Sequence, residues 1–187
     1  QDLAAADDPR QRLAMLQNWL PEISDALDYM HRGGLIHRDI KPGNIFFDEA
    51  GQAFLGDFGI VKFASESHQS TAKLTQTGMV IGTPEYMAPE MSLGEDYDHR
   101  ADVYALAVTV FEFLCGTPPW TGATPAAVIV KQSTEKTPLL HERAEWISQA
   151  LSLTVAKGME KNPEDRFGTC ERFARAFDEA HSVIGQS

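Results

Sequence analysis

The chain has 187 residues and a formal net charge of −11, because 16 lysines and arginines stand against 27 aspartates and glutamates. This length is enough for one domain with a hydrophobic core, and the hydrophobic fraction of 43% is ordinary for a soluble globular protein. The negative charge argues against nucleic acid and against an anionic membrane surface as the main partner, since both require clustered positive charge.

The apolar runs and the cysteines indicate a cytoplasmic segment. No apolar run approaches the roughly 20 residues that cross a bilayer, so we expect no membrane span here, although an anchor elsewhere in the protein would be compatible with this. Cys115 and Cys170 lie in apolar helical contexts, without the spacing of a zinc site. We expect two reduced, buried thiols.

The spacing of apolar residues predicts a mainly helical fold with one small β-hairpin. Over residues 10–31 they recur every three or four positions, which indicates one amphipathic helix. Pro21 lies inside this helix and allows a kink or a break, and Gly33 and Gly34 end it. Residues 45–47 and 53–55 are predicted strands, joined by a turn at 48–51.

The rest of the chain divides into an irregular stretch and a run of helices. Residues 56–89 show no periodicity, and so long an irregular segment inside a domain is usually functional. Residues 102–115 are apolar nearly all round, which predicts a buried helix. Further helices are predicted at about 125–132, 145–157 and 170–184.

A short segment before the first strand is dense in chemically useful groups. Residues 37–44 place a carboxylate, a cation and a carboxamide at Asp39, Lys41 and Asn44. Asp57 follows on the far side of the predicted hairpin. Because a hairpin brings its two ends together, Asn44 and Asp57 can converge as oxygen ligands, which suit Mg²⁺.

These residues resemble the motifs of the eukaryotic-type (Hanks-type) serine/threonine protein kinase family, in a bacterial style. The family carries a catalytic loop, a magnesium-binding Asp-Phe-Gly and an Ala-Pro-Glu motif in this order, and here they stand at residues 37–44, 57–59 and 88–90. The resemblance extends to about Phe177. It implies that residues 1–187 form the C-terminal, larger lobe of the kinase-like α+β fold without the N-terminal lobe, with an activation segment at 57–90.

The resemblance implies ATP and Mg²⁺ as cofactors and proteins with serine or threonine as substrates. Asp39 would accept the proton of the substrate hydroxyl, and Lys41 would neutralise the γ-phosphate. Asn44 and Asp57 would hold the magnesium ions. Thr83 would hydrogen-bond near Asp39 and help to select the acceptor.

Phe46 resembles the residue that packs beneath the adenine ring, although most such phenylalanines are simply core residues. Phosphorylation of Thr75 and Thr77 would switch the enzyme on, with Arg38 and Lys62 contacting the phosphate. The alternative for this loop is an unmodified polar segment.

Other positions match scaffold residues of the family. Glu90 and Arg166 resemble its buried ion pair, and Asp102 resembles the aspartate that braces the backbone of the catalytic loop. His37 matches a packing residue that stacks near Phe58, and a general-base role for it is rejected.

The sequence also departs from the family pattern. The first lysine is Lys41 and no Gly-x-Gly-x-x-Gly motif precedes it, whereas kinases need a second lysine, its glutamate partner and magnesium together. We therefore expect the chain alone to be inactive, and to self-associate through the surface that the N-terminal lobe would cover. The alternative function is a non-catalytic docking or scaffold module. Metabolite phosphotransferases are disfavoured because they generally lack a segment like residues 82–86 for holding a peptide.

Overall fold

The computed structural model describes residues 9–56, 62–63 and 83–182. In these ranges the chain is mainly helical, with two small antiparallel sheets, so the predicted fold class is confirmed. The helices are α1 (Pro9–Arg32), α2 (Pro89–Leu93), α3 (Arg100–Cys115), α4 (Pro125–Thr134), α5 (Leu140–Arg143), α6 (Gln149–Gly158) and α7 (Cys170–Ser182). The strands are β1 (Leu35–Ile36), β2 (Ile45–Phe47), β3 (Ala53–Leu55) and β4 (Lys62–Phe63), and 3₁₀ turns lie at Pro42–Asn44, Pro84–Tyr86 and Pro163–Asp165.

Helix α1 continues through Pro21 without a break. The proline removes one backbone hydrogen bond, and it lies at an exposed position of the helix. The opposite face of the helix is buried through residues such as Leu20 and Leu27. The helix ends before Gly34, whose φ of 74° is a conformation that glycine adopts at little cost.

Helix α3 is the centre of the core, and the prediction that it is buried on nearly all sides is confirmed. It approaches α6 closely at Gly158, where a Cβ atom would lie 2.6 Å from the Cβ of Ala107. The largest fully buried side chains are Trp19, Tyr104, Phe111, Phe173 and Phe177. No helix in the described ranges is long and apolar enough to cross a membrane.

The predicted hairpin is present, and the strands of a second pair flank it in the sequence, one before it and one after it. Strands β2 and β3 pair with Ile45 opposite Leu55, and the hairpin is tied to α1 because Ala53 N donates to Glu22 Oε2 at 2.7 Å. The second pair, β1 with β4, places Lys62 opposite Ile36. Residues 37–44 therefore connect the β1–β4 sheet to the β2–β3 sheet.

The start of α6 and the burial of one cysteine differ from the sequence predictions. The helix predicted to begin at residue 145 begins at Gln149, because the Ser148 hydroxyl accepts from Leu151 N at 3.1 Å and caps it there. Cys170 is fully buried, but Cys115 is only half-buried, so the prediction of two buried thiols is wrong for Cys115.

A carboxylate on α1 caps the N-terminus of α7. Asp28 Oδ1 accepts from Cys170 N at 3.0 Å, and Asp28 Oδ2 accepts from Glu171 N at 2.9 Å. Ligand-type atoms of Asp28, His31 and Cys170 lie within 4.8 Å of one another. Burial, together with the charges of Asp102 and Asp28, raises the pKa of the Cys170 thiol and keeps it protonated. The observed bonds of this cluster are those of a helix cap.

Replacement of Asp28 by alanine should lower the free energy of unfolding by about 2 kcal/mol, since the buried N–H of Cys170 and the partly buried N–H of Glu171 lose their acceptor. Urea denaturation measures this change. Asp25→Ala on the exposed face of the same helix is the control and should stay within about 0.5 kcal/mol. Equal effects of the two substitutions would show that the cap does not stabilise the fold.

Candidate active site

The structure brings Asp39, Lys41, Asn44 and Thr83 together. Lys41 Nζ lies 2.8 Å from Asp39 Oδ2 and 3.1 Å from Asp39 Oδ1, and it donates to Thr83 Oγ1 at 3.3 Å. The side chain of Asp39 is 11% exposed and that of Lys41 is 27% exposed. The site therefore presents a fixed carboxylate and a cation to solvent, beside a hydroxyl from a distant part of the sequence.

Two hydrogen bonds to Asp39 orient the Asn44 side chain so that its amide oxygen could bind a cation. Its Nδ2 donates to the backbone oxygen and to Oδ2 of Asp39, both at 2.8 Å. Because the amide nitrogen is used in this way, the amide oxygen is the atom that Asn44 can offer to a metal. Gly56 N donates to the Asn44 carbonyl at 2.9 Å and closes the hairpin. Asp57, the predicted second ligand, lies outside the described residues.

A fully buried carboxylate holds the backbone of the loop. Asp102 accepts from His37 N at 2.8 Å and from Arg38 N at 2.9 Å, and its Oδ2 lies 2.7 Å from His31 Nε2. Arg38 has a φ of 70°, which is uncommon for a residue with a side chain and requires such support. His37 is buried, while its predicted neighbour Phe58 lies outside the described residues.

The side chain of Arg38 is poorly satisfied in the described part of the protein. Its guanidinium lies 5.2 Å from the centre of the Tyr97 ring. Its Nε and Nη2 are buried and have no hydrogen-bond partner among the described residues. For Lys62 only the backbone is described, and Thr75 and Thr77 lie outside the described residues. Arg38 therefore has buried donors that suit an anionic acceptor.

Glu90 and Arg166 form a buried, bidentate ion pair. The two Arg166–Glu90 distances are 2.6 Å and 2.7 Å. Arg166 also donates to three backbone carbonyls, those of Glu160, Arg100 and Lys161, so its guanidinium joins separate segments of the chain.

Phe46 lies on an aromatic surface beside the site. It is 45% exposed and stacks on Phe54, which is 49% exposed, with ring centres 5.8 Å apart. A Cβ atom on Gly56 would lie 2.4 Å from the Phe46 ring, so any larger residue there would push this ring out of its position. Phe46 is therefore placed where a flat ligand could contact it.

Several contacts around the site could not be read from the sequence. His31 links α1 to Asp102, and Gln132 on α4 contacts the backbone of Pro84 and Glu85. The Tyr86 hydroxyl donates a hydrogen bond to the Glu112 carboxylate. Burial, together with this bond, raises the pKa of Tyr86. His31 and Gln132 belong to no short motif, and the partners of all three residues are far away in sequence.

Comparison with known proteins places the chain in a family. The sequence profile described as "Protein kinase domain" matches residues 8–177. The chain therefore belongs to the protein kinase family.

Curated proteins that the chain resembles include mycobacterial serine/threonine-protein kinases, which confirms the resemblance seen in the sequence. PknB of Mycobacterium tuberculosis is 38% identical over 150 residues, covering 80% of this chain and 24% of PknB. PknF of the same species is 39% identical over 158 residues, covering 82% of this chain and 32% of PknF. PknB of Mycobacterium leprae is 37% identical over 157 residues, covering 84% of this chain and 25% of that protein. The chain thus spans between a quarter and a third of the length of these relatives.

Proposed function

We propose that the protein containing this chain is an ATP-dependent serine/threonine protein kinase, with residues 1–187 forming the larger lobe of its catalytic domain. The observation that carries the proposal is the contact of Asp39 with both Lys41 and Asn44, beside the Thr83 hydroxyl. The names of the relatives, serine/threonine-protein kinases, support the choice of acceptor.

The residues of the site suit phosphate transfer by positioning and charge neutralisation. Asp39 orients the serine or threonine hydroxyl and accepts its proton while the acceptor oxygen bonds to the γ-phosphorus and the bond to ADP breaks. Lys41 balances negative charge at the phosphate. Asn44 and Asp57 would hold Mg²⁺, which neutralises phosphate charge when bound, and Phe46 would contact the adenine.

We further propose that phosphorylation of Thr75 and Thr77 activates the enzyme through Arg38. The support is the pair of buried guanidinium nitrogens without a partner among the described residues. A phosphate offers strong acceptors to such donors. Arg38 is adjacent to Asp39, so an anion bound there would be coupled to the catalytic loop through its backbone.

The decisive experiment compares this chain with the same chain extended upstream through its natural reading frame. Both are incubated with Mg²⁺, labelled ATP and a basic test protein, and the products are mapped by mass spectrometry. We expect only the longer chain to transfer phosphate, because no lysine precedes Lys41 in the shorter one. Silence of both chains would favour the docking-module alternative.

The same experiment tests the activation loop. Phosphate should be found on Thr75 or Thr77, and Thr75→Ala/Thr77→Ala should lower the activity of the longer chain about tenfold. Ser65→Ala/Ser67→Ala removes two hydroxyls from the same loop and is the control. Loss of activity in the control alone would contradict the assignment.

A further inference from the structure

A glutamine on α4 holds the turn that follows Thr83. Gln132 is fully buried, and its Nε2 donates to the carbonyl oxygens of Pro84 and Glu85 at 2.9 Å and 2.8 Å. These acceptors belong to the 3₁₀ turn Pro84–Tyr86, which lies more than 40 positions earlier in the sequence. One side chain therefore fixes the backbone of the turn from outside.

The chemistry of this contact suits a primary amide, which is uncharged and has two hydrogens on one nitrogen. A carboxamide nitrogen carries two hydrogens, one for each carbonyl, and glutamate would bring no donor at all. Gln132 Oε1 is buried without a hydrogen-bond partner among the described residues, which costs free energy. A residue chosen for stability alone would avoid that cost, so the contact with the turn is the feature that accounts for an amide here.

The Pro84–Tyr86 turn lies next to the residues proposed to contact the serine or threonine of the substrate. Thr83, the residue before it, accepts a hydrogen bond from Lys41 Nζ at 3.3 Å, and Lys41 contacts Asp39 at 2.8 Å. A peptide that presents a hydroxyl to Asp39 must therefore run past the Pro84–Tyr86 turn. Glu85 and Tyr86 are only partly buried, so the turn offers a surface to that peptide.

We propose that Gln132 is a positioning residue for the protein substrate, which fixes the Pro84–Tyr86 turn as one wall of the acceptor-peptide site. This inference rests on the proposed kinase function. Gln132 hydrogen-bonds to the turn and, among the described residues, not to Asp39, Lys41 or Asn44. Its removal should therefore affect binding of the acceptor peptide more than the chemistry of transfer or the binding of ATP.

The test uses Gln132→Met in the chain extended upstream. Methionine keeps about the same volume, removes both donors and also removes the unpaired buried Oε1. The carbonyl oxygens of Pro84 and Glu85 lose a donor, so the free energy of unfolding should fall, but the variant should remain folded. With a serine- or threonine-containing peptide, KM for the peptide should rise about tenfold while kcat and KM for ATP change less than about threefold. Gln132→His keeps one donor and should give an intermediate KM.

Val130→Ala is the matched control, since Val130 lies on the same helix and is 58% exposed. It should leave the peptide KM unchanged. An unchanged KM in Gln132→Met, or equal changes for peptide and ATP, would overturn the inference.

Hydrogen exchange supplies a readout that does not depend on activity. Tyr86 N and Met87 N donate to Thr83 O and Pro84 O, both at 3.2 Å. Gln132→Met should speed exchange of these two amides about tenfold relative to helix α3. If the wild-type protein transferred no phosphate, the proposed function would fail, whereas unchanged exchange at Tyr86 and Met87 would overturn the role of Gln132 by itself.

Discussion

Replacement of Asp39 by asparagine is expected to lower the rate of phosphate transfer about 10³-fold in the chain extended upstream. Asparagine has the same shape as aspartate, but its neutral amide cannot accept the proton of a substrate hydroxyl. It also removes the negative charge beside Lys41 Nζ, 2.8 Å away, and beside Asn44 Nδ2, also 2.8 Å away. The measurement is single-turnover transfer from labelled ATP to a serine- or threonine-containing peptide.

Asp39→Asn should leave the fold intact, because the backbone bonds of this loop do not involve the Asp39 side chain. The backbone oxygen of Asp39, which accepts from Asn44 Nδ2 at 2.8 Å, is unchanged, and the bonds from Asp102 to the backbone of His37 and Arg38 do not involve the Asp39 side chain. A thermal melt should therefore differ little from that of the wild type.

The control for this experiment is Asp25→Asn, the same change at an exposed position on α1. It should leave the rate unchanged. Transfer by Asp39→Asn at more than about a tenth of the wild-type rate would remove Asp39 from the proposed mechanism.

The sequence predicted those elements whose own residues specify them. The buried face of α1 repeats every three or four residues, and α3 is apolar all round, so each pattern is complete within one helix. The predicted strands at 45–47 and 53–55 match β2 and β3. The motif residues Asp39, Lys41 and Asn44 were close enough in sequence for one short segment to indicate a site.

The sequence did not reveal features that depend on distant backbone. Strands β1 and β4 have two residues each, which is too short for an alternating pattern. Ile147 is buried at the spacing that continues α6 backwards from Leu151, so periodicity placed the helix start too early. Gln132 follows Val128 on the buried face of α4, and only the structure shows that its partners are two carbonyl oxygens.

The ion pair between Glu90 and Arg166 connects α2 to the helical core. Glu90 lies in α2, and the side chains of Glu90 and Arg166 are at most 5% exposed. Arg166 donates in addition to the carbonyls of Glu160, Arg100 and Lys161, so it has acceptors that Glu90 does not supply. Loss of either residue should therefore have unequal consequences.

Arg166→Met is expected to lower the free energy of unfolding by about 5 kcal/mol, and Glu90→Gln by about 3 kcal/mol. The arginine substitution leaves a buried carboxylate without a counter-ion and also removes the donor to three carbonyls. In Glu90→Gln the Arg166 guanidinium keeps its hydrogen bonds to those three carbonyls, and the new amide oxygen can still accept one hydrogen bond from Arg166. Urea denaturation of the extended chain measures both changes.

Arg175→Met is the matched control, because Arg175 is 61% exposed and lies 3.9 Å from an equally exposed Glu171. Its effect should stay within about 0.5 kcal/mol, as for other surface pairs. If Arg166→Met lowered the free energy of unfolding no more than this control does, the ion pair would not hold α2 to the core. If Glu90→Gln cost more than Arg166→Met, the contacts to the carbonyls would contribute less than the charge of Glu90, and the order of effects derived from the geometry would be wrong.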